Sequence, residues 1–181
     1  MKNAMLAAAL LALSTTVLGE VTDSAVNGFT TVNEVVIDAG RAQSWVAAVD
    51  DIGLWWSSNH TVSGEAARMS ITPELQGCFC ETLGGQAGVV HLTVTMVNPT
   101  HLLRLTGGLG PLGLMGVDGN MTWEFLDEEE GTRVRFTYAV GGYAEDGLDA
   151  IAPAVDFVIG EALDRLKAYI QTGSPETAAL E

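Results

Sequence analysis

Glu81 has more chemistry within its reach than any other residue of this chain. It sits in an alternating stretch, residues 77–83, where it shares a face with Phe79. A carboxylate turned into an apolar cavity has its pKa raised. It then serves as an acid, a base or an anchor for a ligand hydroxyl. The plainer reading leaves Glu81 at a sheet end, solvated or paired with Arg104 or Arg68. Tyr138 and Tyr143 offer phenols for ligand hydrogen bonds, from a cavity wall and from its entrance. For Tyr138 the alternative is a core phenol with a backbone partner. Trp55 and Trp56 are adjacent, so on a helix they point in different directions. One can cap a cavity while the other packs in the core, or both pack.

Cys78 and Cys80 lie two apart and share the face opposite Phe79. Their Cα atoms stand about 7 Å apart in an extended strand, at the limit for a bridge. With His91 opposite Cys80 they form a Cys/Cys/His set of the kind zinc or copper accepts. No fourth ligand is evident, so a bridge or free thiols are expected, with no metal and no cofactor. His60 and His101 are isolated loop residues. No Ser/His/Asp spacing supports hydrolase chemistry. Residues 107–116 (GGLGPLGLMG) lack Lys and Ser, so they cannot cradle a phosphate. They read as a mobile lip over a cavity or as a tight inter-strand crossing.

Those side chains need elements to aim them. Residues 30–38 are rich in β-branched types and predict a strand; 41–49 and 52–56 predict two short helices. Strand segments follow at 68–72, 77–83, 89–97, 101–106, 119–126 and 132–140, and a long helix at 148–170 with Pro153 in its first turn. The acidic run 127–130 reads as a solvated turn. A turn at Glu129-Glu130 sets Phe125 opposite Val134, Trp123 opposite Phe136 and Met121 opposite Tyr138. All six then share one face. The Asn98-Pro99 turn pairs Met96 with Leu103 and Val94 with Leu105. A turn at Gly85-Gln86 pairs Phe79 with Leu92 and Glu81 with Val90. The apolar positions Ile151, Val155, Val158, Ala162, Leu166 and Tyr169 give the long helix a covering face. The fold class is therefore α+β: an antiparallel sheet with one apolar face under a C-terminal helix, and two short helices after strand 1. A gap between sheet and helix is a natural place for an apolar small molecule.

The chain has 181 residues, 48% of them hydrophobic, and a formal net charge of −15. That suits one domain with one core and excludes a disordered chain. The charge disfavours nucleic acid and anionic membrane surfaces. Lys2, the apolar residues 4–13 and the small residues before Gly19 predict a signal peptide over 1–19, cleaved after Gly19. The expected product is periplasmic or secreted, with no stable membrane insertion after cleavage, as a monomer or weak dimer. Residues 20–28 are expected to be a flexible N-terminus, 29–172 the folded domain and 173–181 a flexible tail.

Several segments resemble the SRPBCC (START/birch-pollen-allergen-like) superfamily. The opening strand Val35-Val36-Ile37-Asp38-Ala39 runs into a helix with Trp45, followed by Leu54-Trp55-Trp56-Ser57. Gly77-Cys78-Phe79-Cys80-Glu81, Val97-Asn98-Pro99, Trp123-Glu124-Phe125 and Gly141-Gly142-Tyr143 continue the pattern. The similarity is to the polyketide cyclase/dehydrase-like or heat-shock-ATPase-activator-like branch. The segments Ser57-Ser58-Asn59-His60-Thr61-Val62-Ser63-Gly64 and Leu109-Gly110-Pro111-Leu112 are similar to exported bacterial members. The resemblance implies a helix-grip fold, a curved antiparallel sheet of about seven strands around a long C-terminal helix. Members of the superfamily bind lipids, sterols, polyketides and plant hormones, and some cyclise polyketides. An exported member does not meet the cytosolic heat-shock ATPase. The leading expectation is an exported binding protein for an apolar small molecule such as a lipid, sterol or aromatic polyketide. The expected lining is Trp55, Trp56, Phe79, Glu81, Leu92, Leu105, Met115, Met121, Trp123, Phe136, Tyr138, Tyr143 and Phe157. The alternatives are a cyclase, dehydratase or isomerase using Glu81 or Tyr138, and a protein-interaction module.

Overall fold

The computed structural model describes residues 18–176. Eight strands form one open antiparallel sheet: β1 (Leu18–Ala25), β2 (Gly28–Ile37), β3 (Met69–Ile71), β4 (Cys78–Gly84), β5 (Ala87–Asn98), β6 (Leu102–Thr106), β7 (Gly116–Glu128) and β8 (Gly131–Tyr143). Their order is β1-β2-β8-β7-β6-β5-β4-β3, so the chain closes its second strand against its last. Two short helices, α1 (Arg41–Val49) and α2 (Ile52–Trp55), follow β2, and the long helix α3 (Ala152–Thr172) ends the fold. This is the expected helix grip with eight strands rather than about seven.

The extra strand corrects the expectation for residues 20–28. They are not loose: β1 pairs along β2 from Leu18 opposite Glu34 to Ala25 opposite Gly28. The segment LGEVTDSA carries little alternation of its own, and its strand conformation comes from covering the edge that β2 would otherwise expose. The predicted signal peptide falls mostly on residues 1–17, outside the described residues.

The β7–β8 hairpin has the predicted register, with Trp123 opposite Phe136, Met121 opposite Tyr138 and Phe125 opposite Val134. The other two hairpins slip by one residue at bulges. Val94 faces Leu105 as expected, but Leu103 faces Val97 and Met96 is left exposed. Phe79 faces Leu92 as expected, but Cys80 then faces Val90 and Glu81 faces Val89. The extra residue on β5 is His91, which the bulge turns into the interior beside Leu92.

Aromatic rings fill the space between sheet and helices. Trp123 stacks on Phe136 with centroids 4.3 Å apart, and Trp55 and Phe79 lie 6.3 and 6.4 Å from it. Trp56 meets Phe79 edge-on at 5.3 Å, and Trp45 meets Phe125 at 5.3 Å. Helix α3 crosses β1 and β2 and buries Ala152, Ile159, Ala162, Leu163 and Leu166. Its buried face is thus rotated from the predicted one: Ile159 and Leu163 are inside, while Val155 and Val158 are only partly covered. Pro153 lies in its first turn as expected. The helix stops at Gly173, whose left-handed φ of 79° lets its N–H reach the Tyr169 carbonyl at 2.8 Å.

Candidate functional site

Glu81 is inside the fold, 1% exposed, but it is not an idle carboxylate in a cavity. The Val62 N–H donates to Oε2 at 2.9 Å and the Ser63 N–H to Oε1 at 2.5 Å. His91 Nε2 lies 3.0 Å from Oε2. Burial works to raise the Glu81 pKa, but the hydrogen bonds from Ser63, Val62 and His91 overcome it and hold the carboxyl at about 2. The expected upward shift is therefore reversed. Neither Arg104 nor Arg68 is its partner; Arg68 is bound to Glu65. On the far side of the same loop His60 Nε2 meets Glu161 Oε2 of α3 at 2.9 Å. Trp56 donates its indole N–H to the His60 carbonyl at 3.0 Å, and Arg165 donates to the Trp55 carbonyl at 2.9 Å. Residues 57–65 are thereby pinned between β4 and α3.

Tyr138 is likewise committed. Its hydroxyl donates to the Gly107 carbonyl at 2.7 Å and accepts from the Leu109 N–H at 3.0 Å. Burial pushes the phenol pKa up to about 12. Gly107 takes a φ of 138°, and a Cβ there would meet the His91 carbonyl at 2.9 Å, so the glycine is needed at this crossing. Tyr138 ties down the Gly-rich segment 107–116. Tyr138→Phe leaves a carbonyl and an N–H without their partner and is expected to cost about 1–3 kcal/mol. Urea unfolding checks this; a midpoint unchanged from wild type would show that the segment is held by other contacts.

Cys78 and Cys80 are bridged, with Cα atoms 5.4 Å apart. The strand is drawn in from the extended spacing, which is how so short a separation permits a bond. The Cys/Cys/His set does not assemble, because the bulge sends His91 to the other face. Among the described residues no group of three or more His, Cys, Asp or Glu side chains could hold a metal ion. His101 stays in its exposed turn.

Most of the predicted lining is core. Trp55, Trp56, Phe79, Leu92, Leu105, Met121, Trp123, Phe136 and Tyr138 are all buried in one cluster. Met115 and Tyr143 are the two that meet a recess, and Phe157 lies on the outside of α3, 68% exposed. The recess, about 570 Å³, lies where the chain enters β7 and leaves β8, against the segment leading into α3. Met115, Tyr143, Ala144, Ile151 and Ala154 give it apolar walls, with Glu145 and Asp146 at the rim. Leu114, next to Met115 in the chain, is 93% exposed, and Tyr143 73%. Phe157 follows Ala154 by one turn of α3, so an apolar strip continues along the helix from the recess. Sequence reading missed residues 144–147, 150 and 151 as a wall. Their only signal was the glycine pair at Gly141-Gly142 before an apolar helix. It also missed Val62 and Ser63, whose contribution is backbone N–H and has no side-chain signature.

The sequence profile of the family described as polyketide cyclase/dehydrase and lipid transport matches residues 28–171. The chain belongs to this family. Its members are helix-grip proteins of the hydrophobic-ligand-binding or cyclase/dehydrase-like kind. No curated protein matches the chain. Among solved structures it is similar to a conserved protein of unknown function from Enterococcus faecalis. That match has 12% identity and a TM-score of 0.59, over 91% of this chain and 82% of that one. An uncharacterised protein from Rhizobium leguminosarum matches with 21% identity and a TM-score of 0.55, over 87% and 99%. An AHSA1-like protein from Aeromonas hydrophila matches with 21% identity and a TM-score of 0.50, over 84% and 99%. At these identities the likeness is one of fold.

Proposed function

We propose that this family member is an exported binding protein for an apolar small molecule of the lipid, sterol or aromatic polyketide type. The recess at the start of α3 receives the molecule. The observation that carries this reading is the pairing of an apolar recess with exposed Met115 and Tyr143 in its lining. Large apolar side chains kept in water at one end of the fold gain about 25 cal/mol for each Å² that a ligand covers. The rim carboxylates Glu145 and Asp146 leave room for a ligand hydroxyl as the polar end. The bridge between Cys78 and Cys80 fits the oxidising compartment that export reaches. Among the described residues no helix is long and apolar enough to cross a membrane.

Binding is favoured over catalysis by the state of the two candidate groups. Every carboxylate oxygen of Glu81 and the hydroxyl of Tyr138 already hold backbone or His91 partners. A proton-transfer role would require breaking them.

Thermal-shift measurement with fatty acids, sterols and aromatic polyketides tests the proposal. A ligand at ten times its Kd is expected to raise Tm by about 3–6 °C. Ala154→Trp fills the recess at an exposed position, and it should remove the shift while leaving the Tm of the unliganded protein unchanged. A shift that survives in Ala154→Trp places the ligand elsewhere. No shift with any class of ligand removes the binding reading. Fractionation of cells producing the full chain, with the N-terminus of the product sequenced, tests export: a product beginning at Glu20 outside the cytoplasm is expected.

A further inference from the structure

We propose that the Cys78–Cys80 bridge is a reversible thiol–disulfide exchange site whose co-substrate is a small thiol of the glutathione type. Four observations carry this. These are the only two cysteines of the chain, and they are joined to each other. Their separation of two residues closes a very small ring. Such a ring removes little freedom from the unfolded chain, so the bond adds little to folding stability, unlike one that ties distant segments together. Both cysteines are half-buried on the outer face of β4. Cys80 lies between Ser70, which is exposed, and Val90, which is 62% exposed, while Cys78 faces Thr93, which is half-buried. A thiolate from solution can therefore approach a sulfur. Lastly, the bond holds the two Cα atoms 5.4 Å apart. An extended strand sets such a pair about 7 Å apart, so opening the bond lets β4 relax toward its ordinary rise.

The exchange balances as two displacements. A thiolate attacks the sulfur of one cysteine, the Cys78–Cys80 bond breaks, and the other cysteine leaves as a thiolate that takes up a proton. A second thiolate attacks the external sulfur of the mixed disulfide, and the first cysteine leaves in turn. The protein gains two electrons and two protons, and two small thiols become one disulfide. The reverse sequence, with glutathione disulfide as oxidant, restores the bridge. In that direction the second cysteine, two residues away, resolves the mixed disulfide with no more than a local drawing-in of β4.

The test incubates the full-length protein in glutathione buffers from mainly oxidised to mainly reduced, quenches with acid, alkylates, and counts labelled cysteines by intact mass. Bridged and doubly labelled protein should coexist across the series, the labelled form growing with the reduced fraction and reverting when disulfide is added. Cys80→Ser should accumulate a stable glutathione adduct at Cys78, because the resolving thiol is gone. Protein that stays fully bridged in about 10 mM reduced glutathione overturns the proposal, since a structural bridge behaves that way. So does a Cys78→Ser/Cys80→Ser double variant whose Tm falls by more than about 3 °C, which would assign the bond to holding the fold.

Discussion

Replacing Glu81 by Ala should lower the unfolding free energy by about 3–5 kcal/mol, as loss of one partner from a buried charged network does. The Val62 and Ser63 N–H groups and the His91 ring all point at this carboxylate. Truncation leaves three donors without their acceptor. Glu81→Gln keeps the volume and one acceptor and should cost less, about 1–3 kcal/mol. The sign of the pH dependence follows from the downward shift. The carboxyl is at about 2 in the folded protein against an ordinary 4.5, so its stabilising effect is complete above about pH 4.5. It is lost as pH falls through about 2. Wild type should therefore lose stability across that window, and Glu81→Gln should show a flatter profile there. Chemical unfolding at pH 7, 4.5 and 3 gives both numbers. Parallel pH profiles for the two proteins would mean that Glu81 is not the group titrating. If Glu81 were instead a catalytic acid or base, Glu81→Gln would abolish turnover of a ligand found by the thermal-shift screen. The present geometry predicts that affinity at the recess is retained wherever the variant is folded.

Trp123→Ala is expected to cost about 3–5 kcal/mol, the range for removing a large buried ring. Trp123 is fully buried on β7 and touches three aromatic neighbours from different elements: Phe136 on β8, Trp55 on α2 and Phe79 on β4. No single neighbour can move to close the hole, because each is held by others. The indole N–H of Trp123 has no hydrogen-bond partner among the described residues, whereas that of Trp55 donates to the Ala47 carbonyl at 2.9 Å. Phenylalanine at the two positions should therefore differ. Trp123→Phe removes a buried N–H without breaking a protein hydrogen bond. Trp55→Phe breaks one and orphans a carbonyl, and it should be the more destabilising of the two by about 1 kcal/mol. Calorimetric or urea midpoints for the three variants decide it; the opposite order would show that the Trp123 N–H is satisfied in solution.

These two residues also show where sequence reading succeeds and where it stops. Trp123 was legible because its hairpin turns at an acidic pair and places six large residues on one face, so a single register satisfies all of them. Glu81 was legible as an inward carboxylate for the same reason of parity. Its ionisation was not, because the shift is set by Val62 and Ser63, about 18 residues away in sequence, presenting backbone groups. His91 was misplaced because one extra residue in β5 inverts parity, and a bulge leaves no local mark in an alternating stretch.

From its pattern alone the sequence determined the α+β class, the antiparallel run of strands, the covering helix and the family resemblance, since alternation and helical spacing are local and repeated. Tertiary structure alone decided the eighth strand, the inward turn of His91, the filling of the interior by stacked rings and the opening beside the start of α3. Each of those depends on which surfaces meet across the fold: an edge that needs a partner, a ladder that absorbs one residue, and side-chain volumes summed from several elements at once. Pairings of that kind are energies between distant segments, and no window of consecutive residues contains them.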